Sequence, residues 1–297
     1  MKTRPARPCA ISVLCLVIGL SALWSAGLAI AQSVSLGMLP ARVAAIAGLA
    51  APTPMVSIPV GWFLMGTPRT DEISLGLEGP YDDTEQPQRR IWLDAFEIDR
   101  NEVSLGNYLA WVLRAPRQLA PELAHEIAVE RRLSSETLAA WPAFYVRWND
   151  ADDYCRSLGK RLPREAEWEK AARGTTGQLF PWGATTPSPW LAVFSRQIEV
   201  SLLPIVPVDS FEQGRSPYGL YHMAGNVAEW VQDWGGIDYY ISMPDHNPAG
   251  PATGRYKIVR GGSWRSSPAM LRTATRGGAP PMFSSSTIGF RCARSLP

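Results

Sequence analysis

The chain has 297 residues and a net charge of +2, so it is long enough for one large domain or two small ones and gives no reason to expect a nucleic-acid partner. Its 12 Trp, 25 Gly and 26 Pro argue against a helical bundle and favour a loop-rich fold held by aromatic side chains. The histidines at positions 125, 222 and 246 are too scattered in the sequence for a histidine-based metal triad.

The N-terminus has the pattern of a secretory signal peptide, predicted over residues 1–31. A basic start, the apolar run Cys9–Leu28 and the small residues at 29–31 follow the order that export signals require. The length of the apolar run leaves an uncleaved membrane anchor as the alternative. Either form predicts export, to the periplasm or out of the cell, with any membrane contact made through this segment.

Export would place the rest of the chain in an oxidising compartment. Residues 32–54 are predicted as a linker, and residues 55–297 as a domain that keeps two cysteines, Cys155 and Cys292. Two cysteines in an exported domain most simply form one disulfide, and two buried free thiols are the alternative. The disulfide would close a loop of about 138 residues, which the chain-entropy argument values at roughly 4–5 kcal/mol.

Short apolar stretches and helix caps alternate through the first half of the domain. Strands are predicted where apolar residues alternate or run together, at Met55–Pro59, Gly61–Gly66, Arg90–Asp99 and Ala143–Trp148. Ser104 is a predicted N-cap, and the charged, helical segment at residues 114–140 is interpreted as an insertion. Two further helices are predicted at Asp150–Leu158, which ends at Gly159, and at Arg164–Arg173.

The helix predicted at Arg164–Arg173 has a strongly charged side. Its charged residues predict a solvated face made of Glu165, Glu167, Glu169 and Lys170. Ala166, Trp168 and Ala171 are the candidates for the inward face. The helix is therefore expected to lie at the surface, with one side toward the core.

The stretch Gly219–Trp234 combines Gly, Asn, Trp and Glu at unusual density. Gly225 and Asn226 are typical of a tight turn, because both tolerate left-handed backbone conformations. The apolar residues that follow have the i, i+3, i+4, i+7 spacing of a short helix, namely Val227, Trp230, Val231 and Trp234. Glu229 would then need donors or a cation, since a carboxylate among indole rings is costly unless it is paired. Lys257–Trp264 is predicted to be a strand that runs into a double-glycine turn, and Met270–Arg276 to be a buried strand. Ile288–Ala293 closes the domain with Cys292.

Several short strings occur in one order along the chain, namely MVSIPVGWFLMG, FEIDRNEVS, YCRSLGKRLPREAEWEKAARG, FPWG, VPVDSF, GLYHMAGNVAEW, RGGSW and IGFRCA. Together they resemble the formylglycine-generating enzyme, or sulfatase-modifying factor, family. The resemblance runs from Met55 to Arg294. It implies a single α+β domain of the C-type-lectin-like kind with much irregular structure.

The resemblance implies copper chemistry only where the copper ligands are present. Family members that act on sulfatases oxidise a substrate cysteine to formylglycine with oxygen and copper. Two cysteines about five positions apart, just after the GGS turn, hold the metal, and soft thiolates suit Cu(I). The corresponding segment here, Ser263–Leu271, contains no cysteine. A hydroxyl or one thioether does not replace two thiolates, so the sequence predicts that this copper chemistry is absent.

The remaining cysteine pair matches a different feature of the family. Cys155, in DDYCRSLGKRLP, and Cys292, in GFRCA, stand at positions that form a structural disulfide in the cysteine-containing enzymes. The resemblance therefore implies that these two residues are bonded. Many relatives lack one or both of them, so two free thiols remain the alternative.

The resemblance also implies calcium sites. The family binds Ca²⁺ through the central stretch, and Gly225, Val227 and Glu229 match that ligand set. His222 stands where Asp or Asn is expected, and imidazole is a poor ligand for a hard, oxygen-loving ion. A second family site has Ala192 in place of an Asn, with Asp209 aligned less clearly, so calcium is not expected there.

The family cleft would lie between the GGS turn, the central stretch and the segment before GFRC. Its predicted lining residues are Ser263, Trp264, Arg265, Glu229 and Thr287. One hypothesis is an exported protein that modifies a peptide or small molecule by a copper-independent mechanism, as in siderophore maturation by periplasmic relatives. The alternative is a non-enzymatic, lectin-like module that binds a peptide, protein or small molecule of the cell envelope. Genuine formylglycine generation would require thiols from elsewhere.

Overall fold

The computed structural model describes residues 39–68, 83–114, 117–130, 132–197 and 203–296. The strands are β1 (Met55–Ile58), β2 (Gly61–Met65), β3 (Arg89–Leu93), β4 (Phe96–Asp99), β5 (Ala228–Trp234), β6 (Lys257–Arg260), β7 (Arg276–Ala279), β8 (Ile288–Phe290) and β9 (Ala293–Ser295). The helices are α1 (residues 39–47), α2 (Leu105–Arg114), α3 (Pro121–Val129), α4 (Ser135–Ala140), α5 (Trp148–Ser157), α6 (Glu165–Arg173) and α7 (Tyr239–Ser242).

The strands form three small sheets. One has the order β1-β4-β9 and is antiparallel, so the first and last strands both pair with β4. A second consists of the antiparallel pair β2-β3, and the third has the order β7-β6-β5-β8. In the third sheet β8 runs parallel to β5, while β6 is antiparallel to both β5 and β7.

The central stretch is a strand, so the helix predicted there is wrong. Trp230 and Val231 are both fully buried, although consecutive strand residues point to opposite faces of a sheet. Trp230 lies in one hydrophobic cluster and Val231 in another, because β5 runs between two cores. A strand covered on both faces loses the period-two alternation by which strands are recognised, and its apolar residues then matched a helical spacing by chance.

The charged side of α6 is buried, which corrects the prediction of a solvated face. All four residues are below the surface, namely Glu165, Glu167, Glu169 and Lys170. The Glu165 carboxylate accepts two hydrogen bonds from Arg276, at 2.7 and 2.9 Å, and Glu169 pairs with Arg173 and Arg260. The Lys170 ammonium donates to two backbone carbonyls, and burial lowers its pKa from 10.5 to about 8. The charged side chains of this helix therefore lie in the core, where each is paired with an opposite charge or with hydrogen-bond acceptors, because an unpaired buried charge is costly.

Three of the other predicted strands differ in the structure. The strand predicted at Arg90–Asp99 is divided into β3 and β4. No strand forms over residues 143–148, because Tyr145 has a φ of 53° and a left-handed residue interrupts extended backbone. Residues 268–271 form a 3₁₀ helix, so β7 begins only at Arg276 and the strand predicted at Met270–Arg276 is wrong.

The N-terminal boundary of the domain also needs correction. Residues 39–47, predicted as part of a linker, are helical, and Val43 and Ile46 are buried in the same core as α2. The backbone of Ile46 passes close to Gly106 of α2, where a Cβ would lie 3.2 Å from the Ile46 carbonyl oxygen. The predicted signal peptide, residues 1–31, lies outside the described residues. Within the described ranges, no helix is long and apolar enough to cross a membrane.

Two local predictions in the first half are confirmed. The Ser104 hydroxyl accepts a hydrogen bond from the backbone N–H of Asn107 at the start of α2. Gly159, just after α5, has a φ of +67°, as expected of a residue that ends a helix.

The segment at residues 114–140 supplies α3 and α4, and its Leu123, Ile127 and Leu138 belong to the core, so this predicted insertion is an integral part of the domain.

A disulfide between Cys155 and Cys292 joins the two halves of the chain, as predicted. It links α5 to the segment between β8 and β9, across 137 positions of sequence. Both cysteines are fully buried. The backbone N–H of Cys292 donates to Asp99 of β4, and the Asp99 carboxylate also accepts a hydrogen bond from Lys160 at 2.6 Å.

Asp233 of β5 should give the protein a measurable pH dependence. Burial and the nearby Glu165 carboxylate raise the pKa of Asp233 from 3.8 to about 7. Between these values the folded protein binds a proton that the unfolded chain has released, so the free energy of unfolding falls as the pH rises. Each unit of pKa difference corresponds to about 1.4 kcal/mol, so the raised pKa of Asp233 is expected to lower the stability of the wild type by about 2–4 kcal/mol as the pH rises from about 4 to about 7. Asp233→Asn cannot titrate and should not show this loss. The Asn carbonyl can still accept the 2.8 Å hydrogen bond from the Glu165 N–H.

The measurement is urea unfolding of both proteins at about pH 4 and about pH 7. Burial lowers the pKa of His222 to about 3, which makes stability rise with pH in part of the same window. This contribution is common to both proteins and cancels in the comparison. Equal pH slopes for the wild type and Asp233→Asn would contradict the prediction.

Candidate functional site

The Gly225–Asn226 turn is held in place by contacts with buried groups. Gly225 has a φ of +81°, and a Cβ there would lie 2.3 Å from the carbonyl oxygen of Val193. The Asn226 side chain donates to the buried carboxylate of Glu102 at 2.8 Å, and its carbonyl oxygen accepts from the N–H of Val206. The predicted turn therefore forms, and its side chain has a structural role because its partners are buried protein groups.

Glu229 lies beneath this turn and has no exposed surface. Both of its carboxylate oxygens accept hydrogen bonds from Arg291, each at 2.7 Å, and one also accepts from the Trp168 indole N–H at 2.8 Å. The sequence argument that this carboxylate needs donors or a cation is correct, and the cation is a guanidinium. Glu229 does not line a cleft, which corrects its placement among the cleft residues.

The central stretch does not fit a calcium site. Of the predicted ligands Gly225, Val227 and Glu229, the glutamate is the one that offers a charged oxygen, and Arg291 already neutralises it. A divalent cation next to a buried guanidinium would be repelled. His222 is buried and its pKa is lowered to about 3, so it is a neutral imidazole rather than an oxygen donor. Within the part of the chain that the structure describes, no three His, Cys, Asp or Glu side chains are grouped as metal ligands would be.

The segment that replaces the family's copper ligands folds onto itself. The N–H of Ser263 donates to the Ser266 hydroxyl at 3.0 Å, and the two hydroxyl oxygens are 3.5 Å apart. Trp264 is 1% exposed, and its indole N–H donates to the carbonyl of Ser286 at 3.1 Å. The Trp264 backbone N–H donates to the carbonyl of Asn226, which attaches this segment to the central turn.

Two further segments surround Trp264. The backbone N–H groups of Ser195 and Arg196 donate to the carbonyls of Ser266 and Trp264, at 2.9 and 2.8 Å. On the other side, the hydroxyls of Ser285 and Thr287 are 2.9 Å apart. We call the region formed by residues 194–196, 263–266 and 285–287 the Trp264 surface.

The structure therefore brings together four of the five predicted cleft residues. Ser263, Trp264, Arg265 and Thr287 all belong to the Trp264 surface. Ser263 and Trp264 are buried, as Glu229 is, so the two of these residues that a ligand can reach are Arg265, which is exposed, and Thr287, which is partly buried. The sequence did not reveal residues 194–196, because an irregular segment carries no periodicity and its place depends on backbone hydrogen bonds to residues far along the chain. The signal that could have placed it is Gly225, whose missing side chain leaves room for the Val193 carbonyl.

The side chains of the Trp264 surface define what it can do. They are hydroxyls, the phenyl ring of Phe194, the buried indole of Trp264 and the exposed guanidinium groups of Arg196 and Arg265. A thiol, an imidazole and a carboxylate are all missing from residues 194–196, 263–266 and 285–287, so these segments supply neither a copper ligand set nor a general base. Hydroxyl and guanidinium groups are hydrogen-bond donors, which suits binding of carbonyl or anionic groups.

Comparison with known proteins adds an independent line of evidence. The pattern of the Sulfatase-modifying factor enzyme 1-like domain matches residues 44–296. The formylglycine-generating enzyme of Bos taurus is 32% identical over an alignment of 290 positions, and the alignment covers 82% of this chain and 75% of that protein. The inactive C-alpha-formylglycine-generating enzyme 2 of Mus musculus is 30% identical over 287 residues, covering 81% and 85%. The solved structure of PvdO from Pseudomonas aeruginosa superposes with a TM-score of 0.66 and 30% identity, covering 82% of this chain and 94% of that one.

Proposed function

Because the chain belongs to the sulfatase-modifying factor family, we propose that it is an exported member that does not generate formylglycine with copper and that binds a peptide or small molecule at the Trp264 surface. The structure and the family match also confirm the single α+β domain expected from the sequence. The proposed ligand is a component of the cell envelope. Export rests on the N-terminal pattern of residues 1–31.

The observation that carries the proposal is the chemistry of Ser263–Leu271. Cu(I) needs soft ligands, and this segment offers hydroxyl oxygens and one thioether in place of two thiolates. Ser266 is already engaged with the Ser263 backbone. A relative whose name describes it as inactive is 30% identical over most of the chain, so loss of the activity has a parallel among similar proteins.

A second candidate is chemical modification of the bound ligand by another mechanism. The 32% identity to a formylglycine-generating enzyme over 82% of the chain favours it, since the similarity to an enzyme extends across the whole domain. The chemistry would need a group supplied by the ligand or by a cofactor, because the Trp264 surface itself offers hydroxyls, two aromatic side chains and guanidinium groups. Binding is the step that both candidates share.

A direct assay tests the copper part of the proposal. The exported protein with its disulfide intact is incubated with copper, oxygen and a cysteine peptide that carries the sulfatase-type CxPxR motif. We expect the peptide mass to stay unchanged, because the thiolates that Cu(I) requires are missing. An active formylglycine-generating enzyme in a parallel reaction is the control. Conversion of the peptide cysteine to the aldehyde would overturn the proposal.

The same protein can be used to test binding. A displayed random-peptide library is selected on the wild type, and the selected peptides are measured against Arg265→Gln. We expect about tenfold weaker binding to this variant, equivalent to about 1.4 kcal/mol, since a guanidinium contact to the ligand is lost. Arg255→Gln is the matched control, because Arg255 is exposed and lies outside the Trp264 surface. Peptides that bind both variants as well as the wild type would show that the ligand uses another part of the protein.

A further inference from the structure

A large open cavity lies next to α5 and shares no residue with the Trp264 surface. Its volume is about 730 Å³, and it is bounded by α2, by α5 and by residues 50–53, which follow α1. We call it the Arg114 cavity. Its lining includes Trp111, Arg114, Arg117, Tyr154 and Lys160.

Of the cationic side chains that line the Arg114 cavity, one is not engaged in an ion pair with a described residue. Lys160 is bonded to the Asp99 carboxylate, and Arg117 lies 3.2 Å from Asp153 while it stacks on the Trp111 ring. Arg114, in the last turn of α2, forms no ion pair with any residue that the structure describes. The lining contains three cationic side chains, Arg114, Arg117 and Lys160, and one carboxylate, Asp99, so the cavity favours a negatively charged ligand.

Tyr154 supplies a second polar group to the Arg114 cavity. It is 5% exposed and lines the Arg114 cavity. Its hydroxyl donates to no described residue, and because it is reached from the cavity it is free to donate to a ligand oxygen there. Burial raises the pKa of this phenol, so it remains a neutral O–H donor. A ligand oxygen in the cavity would satisfy it.

The rest of the wall is apolar. Ala110 and Trp111 of α2 face the cavity together with Pro52 and Leu158. We propose that the Arg114 cavity binds a small organic acid, with its acidic group on Arg114 and the Tyr154 hydroxyl and its apolar body against Trp111. Binding sites for small molecules commonly combine apolar walls with a few polar groups that fix the orientation. This site is separate from the one in the proposed function.

The test uses two probes of the same shape. Calorimetric titration of the disulfide-bonded protein compares 2-naphthoate, an aromatic carboxylate, with 2-naphthalenemethanol, its neutral counterpart. We expect the carboxylate to bind at least about tenfold more tightly, because a charge-assisted hydrogen bond contributes more than a neutral one. No binding of naphthoate, or equal affinity for the two probes, would overturn the proposal.

Three variants then locate the site. Arg114→Gln is expected to weaken naphthoate binding about tenfold, and Tyr154→Phe about fivefold, because each removes one donor to the carboxylate. Tyr154→Phe deletes a hydroxyl that makes no hydrogen bond to a described residue, so the fold should persist. Arg255→Gln removes an exposed arginine elsewhere and should leave the affinity unchanged. If Arg114→Gln and Tyr154→Phe bind naphthoate as Arg255→Gln does, the acid is not held in this cavity.

Discussion

Replacing Glu229 by Gln is expected to lower the free energy of unfolding by about 3–5 kcal/mol, because the change leaves the Arg291 guanidinium buried without its counter-charge. Both side chains are essentially inaccessible, and the carboxylate makes two 2.7 Å hydrogen bonds to the guanidinium. An amide can accept one of these hydrogen bonds but carries no charge. The penalty is the cost of an unpaired buried cation rather than of one lost contact.

The position of this pair makes the effect global. Arg291 also donates to the carbonyls of Asp99, Arg100 and Tyr221, so it connects β4, the approach to the central turn and the segment after β8. Glu229 lies on β5, which separates the two cores. Loss of the charge pair is therefore expected to weaken every element that meets at this point.

Chemical unfolding of matched variants measures the effect. Glu97→Gln is the control, because Glu97 pairs with Arg294, whose side chain is 51% exposed. An ion pair of this kind contributes about 0–1 kcal/mol. If Glu229→Gln loses no more stability than Glu97→Gln, the central ion pair does not hold the fold together. Circular dichroism of both variants before unfolding shows whether each is folded at the start.

Local signals in the sequence predicted the structure correctly where a single residue determines the backbone conformation. The Ser104 cap, the glycine after α5 and the Gly225–Asn226 turn all follow from side-chain size or from one short hydrogen bond. The pairing of Cys155 with Cys292 followed from the small number of cysteines together with the family resemblance. In each case the interaction that determines the structure lies within a few positions, or no competing partner exists.

The failures concern residues whose environment is set by distant parts of the chain. The acidic side of α6 has the composition of a solvated face. Two of the arginines that compensate its charge when it is buried, Arg260 and Arg276, lie 91 and 111 positions from their partners. Likewise, β5 has apolar residues on both faces because two cores cover it. Residues 194–196 of the Trp264 surface are positioned by backbone hydrogen bonds, which leave no pattern in the sequence.

Removing the disulfide is expected to lower the free energy of unfolding by about 4–5 kcal/mol, since the bond restricts the unfolded chain over a loop of 137 positions. The two cysteines are fully buried, so the double variant Cys155→Ala with Cys292→Ala leaves a small apolar space rather than unpaired polar groups. Most single domains have a total stability of only about 5–15 kcal/mol. A loss of this size would remove between about a quarter and all of that stability.

Guanidinium unfolding with and without dithiothreitol separates the bond from the side chains. Reduction should destabilise the wild type to about the level of the double variant, and should leave the double variant itself unchanged. Because reducing compartments prevent such bonds, a large difference would mean that the domain reaches its full stability only after export, as its N-terminal pattern predicts. A wild type that is equally stable in both conditions would show that the fold does not depend on the bond, and the argument that links the cysteine pair to export would fail.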